Sequence, residues 1–360
     1  MKRSMITIGM LAIACCASAA SPRLQQGEPV PAVPEPVSNN AVASVDLGGG
    51  KFYLVSFSGL GPGKTHGDTH SLTWVWRSGW DDWKQAPDVP DGGGRLASVA
   101  VAVGDLIYVF GGYTVAEDGA EVSTPWVHTF DPVTMKFERV SAMPVPVDDT
   151  VAVVYEDRYV YLISGWHDYG NVNLVQRFDT QTSTWSQATP TPGPGVFGHA
   201  GGIVGNRILY CDGVAIEPQA DRRRDFKAVG DCYLGVIDET NSRQIDWRTI
   251  AAHPELPRYR MAAIGLRDPD SIMFVGGTEN PYNFNGIGYD GEPSTPVSNV
   301  LLYAFDEAEW WSVDVDGIQT MDQRGLVRFG NSYVTVGGMV EDQTVTPKVL
   351  SWKIEFYNPH

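Results

Sequence analysis

The sequence predicts an all-β protein: six blades of four antiparallel strands each, arranged as a β-propeller in a single domain over residues 21–360, with the ring closed by an N-terminal strand. Three observations predict it. A hydrophobic segment that ends in a small residue and a glycine recurs six times, as Lys51 to Gly59, Leu106 to Gly112, Tyr159 to Gly165, Arg207 to Gly213, Ile272 to Gly277 and Tyr333 to Gly338. Its final glycines lie 53, 53, 48, 64 and 61 residues apart, near the roughly 50 residues that a four-stranded repeat occupies. The chain is also rich in turn formers, with 39 glycines and 24 prolines, while 43% hydrophobic and 11% aromatic residues supply a large core.

In chain order, residues 1–20 read as an export signal. Lys2 and Arg3 give a positive start, Met5 to Ala14 is apolar, and Ala17-Ser18-Ala19 is a small-x-small cleavage site. The apolar run is too short to span a membrane, and no integral membrane segment is expected later in the chain. The protein is therefore expected in the periplasm or outside the cell. A lipid anchor on Cys15, preceded by Ala14, is the second reading. Loss of Lys2 and Arg3 would take the formal charge from −17 to −19. Such an acidic surface disfavours nucleic acid as a partner.

Each unit then repeats the same companions. A strand of small residues precedes the glycine segment, as Leu96 to Val103 and Thr150 to Tyr155 do. A variable loop follows, then a strand that closes in an acidic turn. Phe130-Asp131 and Phe178-Asp179 open two such turns, and Ile237-Asp238 and Phe305-Asp306 repeat the start of the pattern. Asp suits the first turn position because its carboxylate accepts backbone N–H groups. An aromatic on the fourth strand comes next, as Trp83, Phe137, Trp185, Trp247 and Trp311, and packs between blades. Pro87, Pro144, Pro190 and Pro254 stop these strands. The last unit has no obvious fourth strand after Val349 to Glu355. A ring cannot leave an edge open, so a segment within Leu24 to Pro36 is expected to supply it. Glycine pair, Asp turn and following Trp together resemble the kelch repeat, over Asn40 to Glu355. That resemblance implies a closed six-bladed kelch propeller.

Two cysteines remain outside the signal. Cys211 and Cys232 fall on neighbouring expected strands, and an oxidising compartment would pair them as a disulfide. Two buried reduced thiols are the other reading.

Blade strands alternate in direction, so the long second-to-third loops and the blade-to-blade connections emerge on one face, where the site is expected. Residues opening the innermost strands should ring the channel mouth: Asn40, Arg95, Asp149, His199, Arg260 and Arg324. The arginines would hold an anionic ligand, whose carboxylate matches a guanidinium bidentately. Alternatively they pair with Asp148, Asp149 and Asp322.

The fourth unit's loop is the most unusual. It holds Glu217-Pro218 and then Asp221-Arg222-Arg223-Arg224-Asp225. With Gly198-His199-Ala200-Gly201 upstream and Gly94-Arg95, it resembles the bacterial sialic acid (N-acetylneuraminate) mutarotases, in which this loop supplies a Glu and an Arg six positions later. In that family the Glu follows the glycine directly; here Glu217 lies four residues after Gly213. The resemblance implies Glu217 as the base that takes the anomeric proton and Arg223 as the group that holds a sugar carboxylate, with Arg222, Arg224, Arg95 or Arg260 assisting. No cofactor and no metal are implied.

The fifth loop contributes Tyr282, Asn283, Asn285 and Tyr289, whose amides and aromatic faces suit a sugar ring; His167, in Trp166-His167-Asp168-Tyr169, has the same character. His66-Gly67-Asp68-Thr69-His70 is too weak a pattern for a metal site. Galactose oxidase chemistry on this fold would need a histidine set around Cys211–Tyr210 or Cys232–Tyr233, and none surrounds them. Two function classes result: an exported carbohydrate-active isomerase of the mutarotase or epimerase type, or a non-catalytic propeller that binds a glycan or a protein.

Overall fold

The structure, a computed structural model, describes residues 21–221, 224–317 and 319–357. Residues 1–20, with the expected signal and Cys15, lie outside the described residues, as do Arg222 and Arg223.

Six four-stranded antiparallel sheets follow one another along the chain. Blade 1 is built from Ala41–Asp46, Phe52–Leu60, Thr69–Arg77 and Lys84–Ala86. Blade 2 uses Val99–Val103, Leu106–Phe110, Trp126–Asp131 and Lys136–Ala142. Blade 3 uses Val151–Tyr155, Tyr159–Ile163, Val175–Asp179 and Thr184–Gln187. In blade 4 they are Ala200–Val204, Arg207–Cys211, Cys232–Asp238 and Asn241–Ile250. Blade 5 has Ala262–Leu266, Ser271–Val275, Asn299–Ala304 and Glu309–Asp314. Blade 6 takes Val327–Phe329, Ser332–Val336 and Val349–Tyr357 from the end of the chain and its outer strand, Ser21–Gln26, from the beginning. Among the described residues no helix is long and apolar enough to cross a membrane.

The closing strand is shifted from its expected place. It pairs Ser21 with Tyr357 through Gln26 with Trp352, and so uses only the first three residues of the Leu24 to Pro36 segment. Pro22 is tolerated because this is the outer edge. The prolines at 31, 34 and 36 follow the strand, in a stretch whose Val33 N–H donates to the Pro347 carbonyl.

The Asp turns work as the residue type dictates. Asp131 Oδ1 accepts the Val133 N–H at 2.8 Å and the Thr134 N–H at 3.1 Å; Asp238 Oδ1 accepts the Thr240 N–H at 2.7 Å. Each blade is buried against the next. Phe57 of blade 1 meets Phe130 and Phe137 of blade 2 at 5.4 and 6.0 Å. Phe110 of blade 2 meets Phe178 and Trp185 of blade 3, and Leu54 and Trp76 of blade 1 share a buried cluster with Val334 and Phe329 of blade 6. Fourth-strand indoles donate back across the boundary: Trp185 to Ser141 Oγ, Trp247 to the Thr189 carbonyl. In blade 5 it is Trp310, not the expected Trp311, that takes this place, donating to the Ala251 carbonyl and packing on Tyr303 and Phe274. Trp311 points to the other face of the sheet and packs toward Phe356 of blade 6. Two adjacent tryptophans on a strand face opposite ways, and composition alone does not say which one faces the preceding blade.

Candidate functional site

The innermost strands enclose a central channel of about 360 Å³, lined by small residues such as Ala100, Ala152, Gly201 and Ala263. At one end a belt of backbone hydrogen bonds ties all six blades together. The Ala97 N–H donates to the Asn39 carbonyl, Asp149 to Ala97, Gly198 to Asp149, Arg260 to Gly198, Gln323 to Arg260, and Asn39 to Asp322, at 2.7 to 3.3 Å. The six belt residues Asn39, Ala97, Asp149, Gly198, Arg260 and Asp322 all have left-handed backbone, with φ between 50° and 68°. That conformation costs a non-glycine residue free energy, so its recurrence marks a geometry the ring demands. Gly198 has a further reason: a Cβ there would lie 2.1 Å from the Tyr259 ring.

This belt resets the register of the expected mouth residues. Asp149 and Arg260 are belt residues. Arg95 stands two positions before its belt residue, Arg324 two after, and His199 one after. Arg95 is buried and lines neither the channel nor the pocket described below. Its Nη2 donates to the Pro90 and Asp91 carbonyls, and burial brings its pKa down to about 10. His199 lines the channel, with Nε2 at 2.9 Å from the Ile163 carbonyl. A carbonyl can only accept, so Nε2 carries the proton. Burial drives this imidazole down to about 4, leaving it neutral.

Arg260 and Arg324 do not face open space. Arg260 pairs with Asp149 at 2.7 Å and Asp322 at 3.0 Å; Arg324 pairs with Asp149 at 2.7 Å and Asp322 at 3.6 Å. All four side chains are at most 4% exposed. Burial alone would raise the Asp149 pKa, but the two guanidiniums outweigh it and hold the carboxyl below its ordinary value. For Arg260 burial acts downward, yet the carboxylates win and raise it well above. Two positive and two negative groups cancel, and the expected positive field of the mouth arginines is absorbed within the protein.

Above this square of charges lies a second cavity of about 130 Å³ on the loop face. Three two-stranded hairpins inserted after the second strands of blades 2, 3 and 4 border it: Tyr113–Val115 with Glu121–Ser123, Trp166–His167 with Gly170–Asn171, and Val214–Glu217 with Asp225–Ala228. Its aromatic wall comprises Tyr113, Trp166, Phe197, Phe226, Phe284 and Tyr289, its polar groups Glu121, Asp148, Asp149, Arg224, Arg260 and Asn283. Phe226 stacks on Tyr289 with centroids 4.3 Å apart. Asp148 is held by Ser123, whose hydroxyl donates to Oδ2 at 2.6 Å. Burial, then the neighbouring Asp149 charge, pushes the Asp148 pKa well above its ordinary value, which favours its neutral form. Glu121 as a residue is exposed, but crowding around its carboxyl removes enough hydration to raise its pKa as well.

Of the residues picked out in the sequence, Asp149, Arg224, Arg260, Asn283 and Tyr289 come together at this pocket. Tyr282 is fully buried beneath it, edge-on to Tyr259, with Arg260 5.3 Å from its ring. Asn285 caps its own loop, Oδ1 accepting the Ile287 N–H. His167 turns to the Pro146 carbonyl at 2.8 Å. Glu217 lies exposed near the hairpin tip, opposite Asp225, and lines neither cavity. Cys211 and Cys232 are joined by a disulfide at the base of the same hairpin. Sequence reasoning missed Glu121, Tyr113, Phe197 and Phe226. The small strands that carry the first and last of these have no period long enough to read.

Comparison with known proteins gives a consistent family. The model of the KLHDC2/KLHL20/DRC7 Kelch-repeats domain matches residues 41–277. Kelch domain-containing protein 3 of Rattus norvegicus is 27% identical over 181 residues, 46% of this chain and 44% of that protein. Kelch-like protein 23 of Pongo abelii is 22% identical over 240 residues, 66% of this chain and 36% of that protein. The chain thus spans less than half the length of these relatives. The solved structure of YjhT covers 91% of this chain and 99% of its own, with a TM-score of 0.71 at 17% identity, a likeness of fold.

Proposed function

This chain belongs to the kelch-repeat family, and we propose that it is an exported ligand-binding propeller that takes a sugar, free or at the end of a glycan, in the loop-face pocket. The observation that carries this reading is the aromatic wall set beside hydrogen-bonding groups in one concave site. A sugar ring offers an apolar C–H face to an aromatic ring and hydroxyls to donors and acceptors around it, and small-molecule sites combine apolar walls with a few placed polar groups. The Asp148 carboxyl, whose neutral form burial favours, can meet a hydroxyl, while Asn283 can both donate and accept. Export is supported by the positive, apolar and small-residue pattern of residues 1–20 and by the Cys211–Cys232 bond, which suits an oxidising compartment. The test is a monosaccharide and glycan screen by ligand-observed NMR. Asn283→Ala, an exposed rim substitution, should weaken any hit about tenfold, the size expected for a lost hydrogen bond. An empty screen, or hits indifferent to Asn283, would remove the reading.

A second reading is cofactor-free mutarotation or epimerisation of an acidic sugar by Glu217 and Arg223. What favours it is that their hairpin borders the pocket, through Arg224 and Phe226. Catalysis requires the exposed Glu217 to swing over the bound sugar. Anomer-exchange NMR decides: Glu217→Gln and Arg223→Ala should each slow exchange about a hundredfold or more. Exchange at the wild-type rate in both variants excludes that role.

A further inference from the structure

We propose that the loop-face pocket selects a cationic sugar, one bearing a free protonated amino group, over neutral and acidic sugars; the inference rests on the sugar-binding reading above. The first ground is charge. Arg260 is spent on Asp149 and Asp322. Among the described residues this leaves Glu121, Asp148 and Arg224 as the remaining acidic or basic side chains on the pocket wall, beside the phenols of Tyr113 and Tyr289. Ser123 follows Glu121 by two positions on one strand, so both side chains stand on the same face. Ser123 donates to Asp148, which fixes that face as the one turned to Asp148. Two carboxyl groups therefore address one small cavity. The Glu121 charge disfavours ionisation of Asp148 and the Asp149 charge that of Glu121, and an ammonium beside them would relieve that repulsion. A sugar carboxylate would add a third acid to the same space.

The second ground is the wall. It already carries a cation: the Arg224 guanidinium lies 4.5 Å from the centre of the Trp166 ring and 5.5 Å from that of Phe226. Aromatic faces are the negative part of the ring quadrupole and attract cations most where water is scarce. Arg224, anchored through Nη1 to the Tyr169 carbonyl at 2.9 Å, occupies the place a ligand ammonium would compete for.

The experiment compares glucosamine, N-acetylglucosamine, glucose and glucuronate by calorimetry in mildly acidic buffer, with tetramethylammonium as a cation that is no sugar. Glucosamine is expected to bind about tenfold tighter than the other three sugars. Glu121→Gln should abolish that preference, read as the ratio of glucosamine to glucose affinity, and Arg224→Gln should strengthen glucosamine binding. Glucose or glucuronate binding as tightly as glucosamine, or a preference that survives Glu121→Gln, overturns the inference and leaves the sugar reading standing. Binding of tetramethylammonium with none of the sugars overturns both.

Discussion

At the scale of single residues, the centre of the molecule is governed by what happens to charge in the absence of water. An isolated ion there would be prohibitively costly, and a pair is worth keeping only when every lone pair and proton is matched. Asp149 and Asp322 each touch both Arg260 and Arg324, and Asn39 Oδ1 accepts a further bond from Arg324 Nη2 at 2.8 Å. His199, one residue beyond the belt, solves the same problem by staying neutral. Its pKa is about 4 in the folded state and 6.5 as a free side chain. The folded value is the lower one, so His199 contributes its full stability above pH 6.5 and loses it as the pH falls toward 4. The shift corresponds to about 3 kcal/mol. His199→Gln keeps a donor for the Ile163 carbonyl and removes the titration. Urea unfolding at pH 7 and pH 4.5 should show wild type losing more stability than the variant by about 2 to 3 kcal/mol. Equal losses would mean that the ring is not desolvated.

At the scale of strands and hairpins, the legible features were those whose residue type is forced by backbone geometry. The small residue plus glycine that closes each second strand marks all six blades, and the Asp turns and fourth-strand aromatics mark most of them, because few other residue types serve those positions well. The strand Tyr159–Ile163 lies inside its expected segment, and Arg207–Cys211 likewise. Register was harder. Arg95 and Arg324 attracted attention as arginines, yet the belt positions are Ala97 and Asp322, marked by backbone conformation and not by side-chain chemistry. Trp310 and Trp311 show the same ambiguity, since one step along a strand reverses the face. The pocket itself was half visible. Arg224 sits in the fourth loop and Asn283 and Tyr289 in the fifth, two loops whose composition stands out, whereas Glu121 belongs to a three-residue strand that pairs with Tyr113–Val115. An element that short acquires its meaning from what it packs on.

At the scale of the whole molecule, the ends of the chain meet in one sheet. Blade 6 holds three strands from the C-terminal part and one from the N-terminal part, so the interface between blades 6 and 1 and the outer edge of blade 6 are joined by sequence-distant pairing. Removing residues 1–26 leaves Val349–Tyr357 as a bare edge. We expect the shortened chain to unfold at lower denaturant, by about 1 to 3 kcal/mol, and to associate with rising concentration, because an unpaired strand is a template for another chain. Light scattering and urea unfolding check both; an equally stable, monodisperse product would show that Ser21–Gln26 only decorates the ring. The belt at the channel mouth has a different consequence. Its links are main-chain bonds, joined at one station by Asn39 Oδ1, which accepts the Ala97 N–H at 2.7 Å, while the side chains of Asp149, Arg260 and Asp322 are committed to their own ion pairs. Asparagine, alanine, aspartate, glycine, arginine and aspartate already occupy the six stations. The hoop therefore works like the rim of a wheel: the main chain sets its diameter, and the spokes that cross the hub are ion pairs, so a change at Asp149, Arg260 or Asp322 costs a salt link before it costs the aperture.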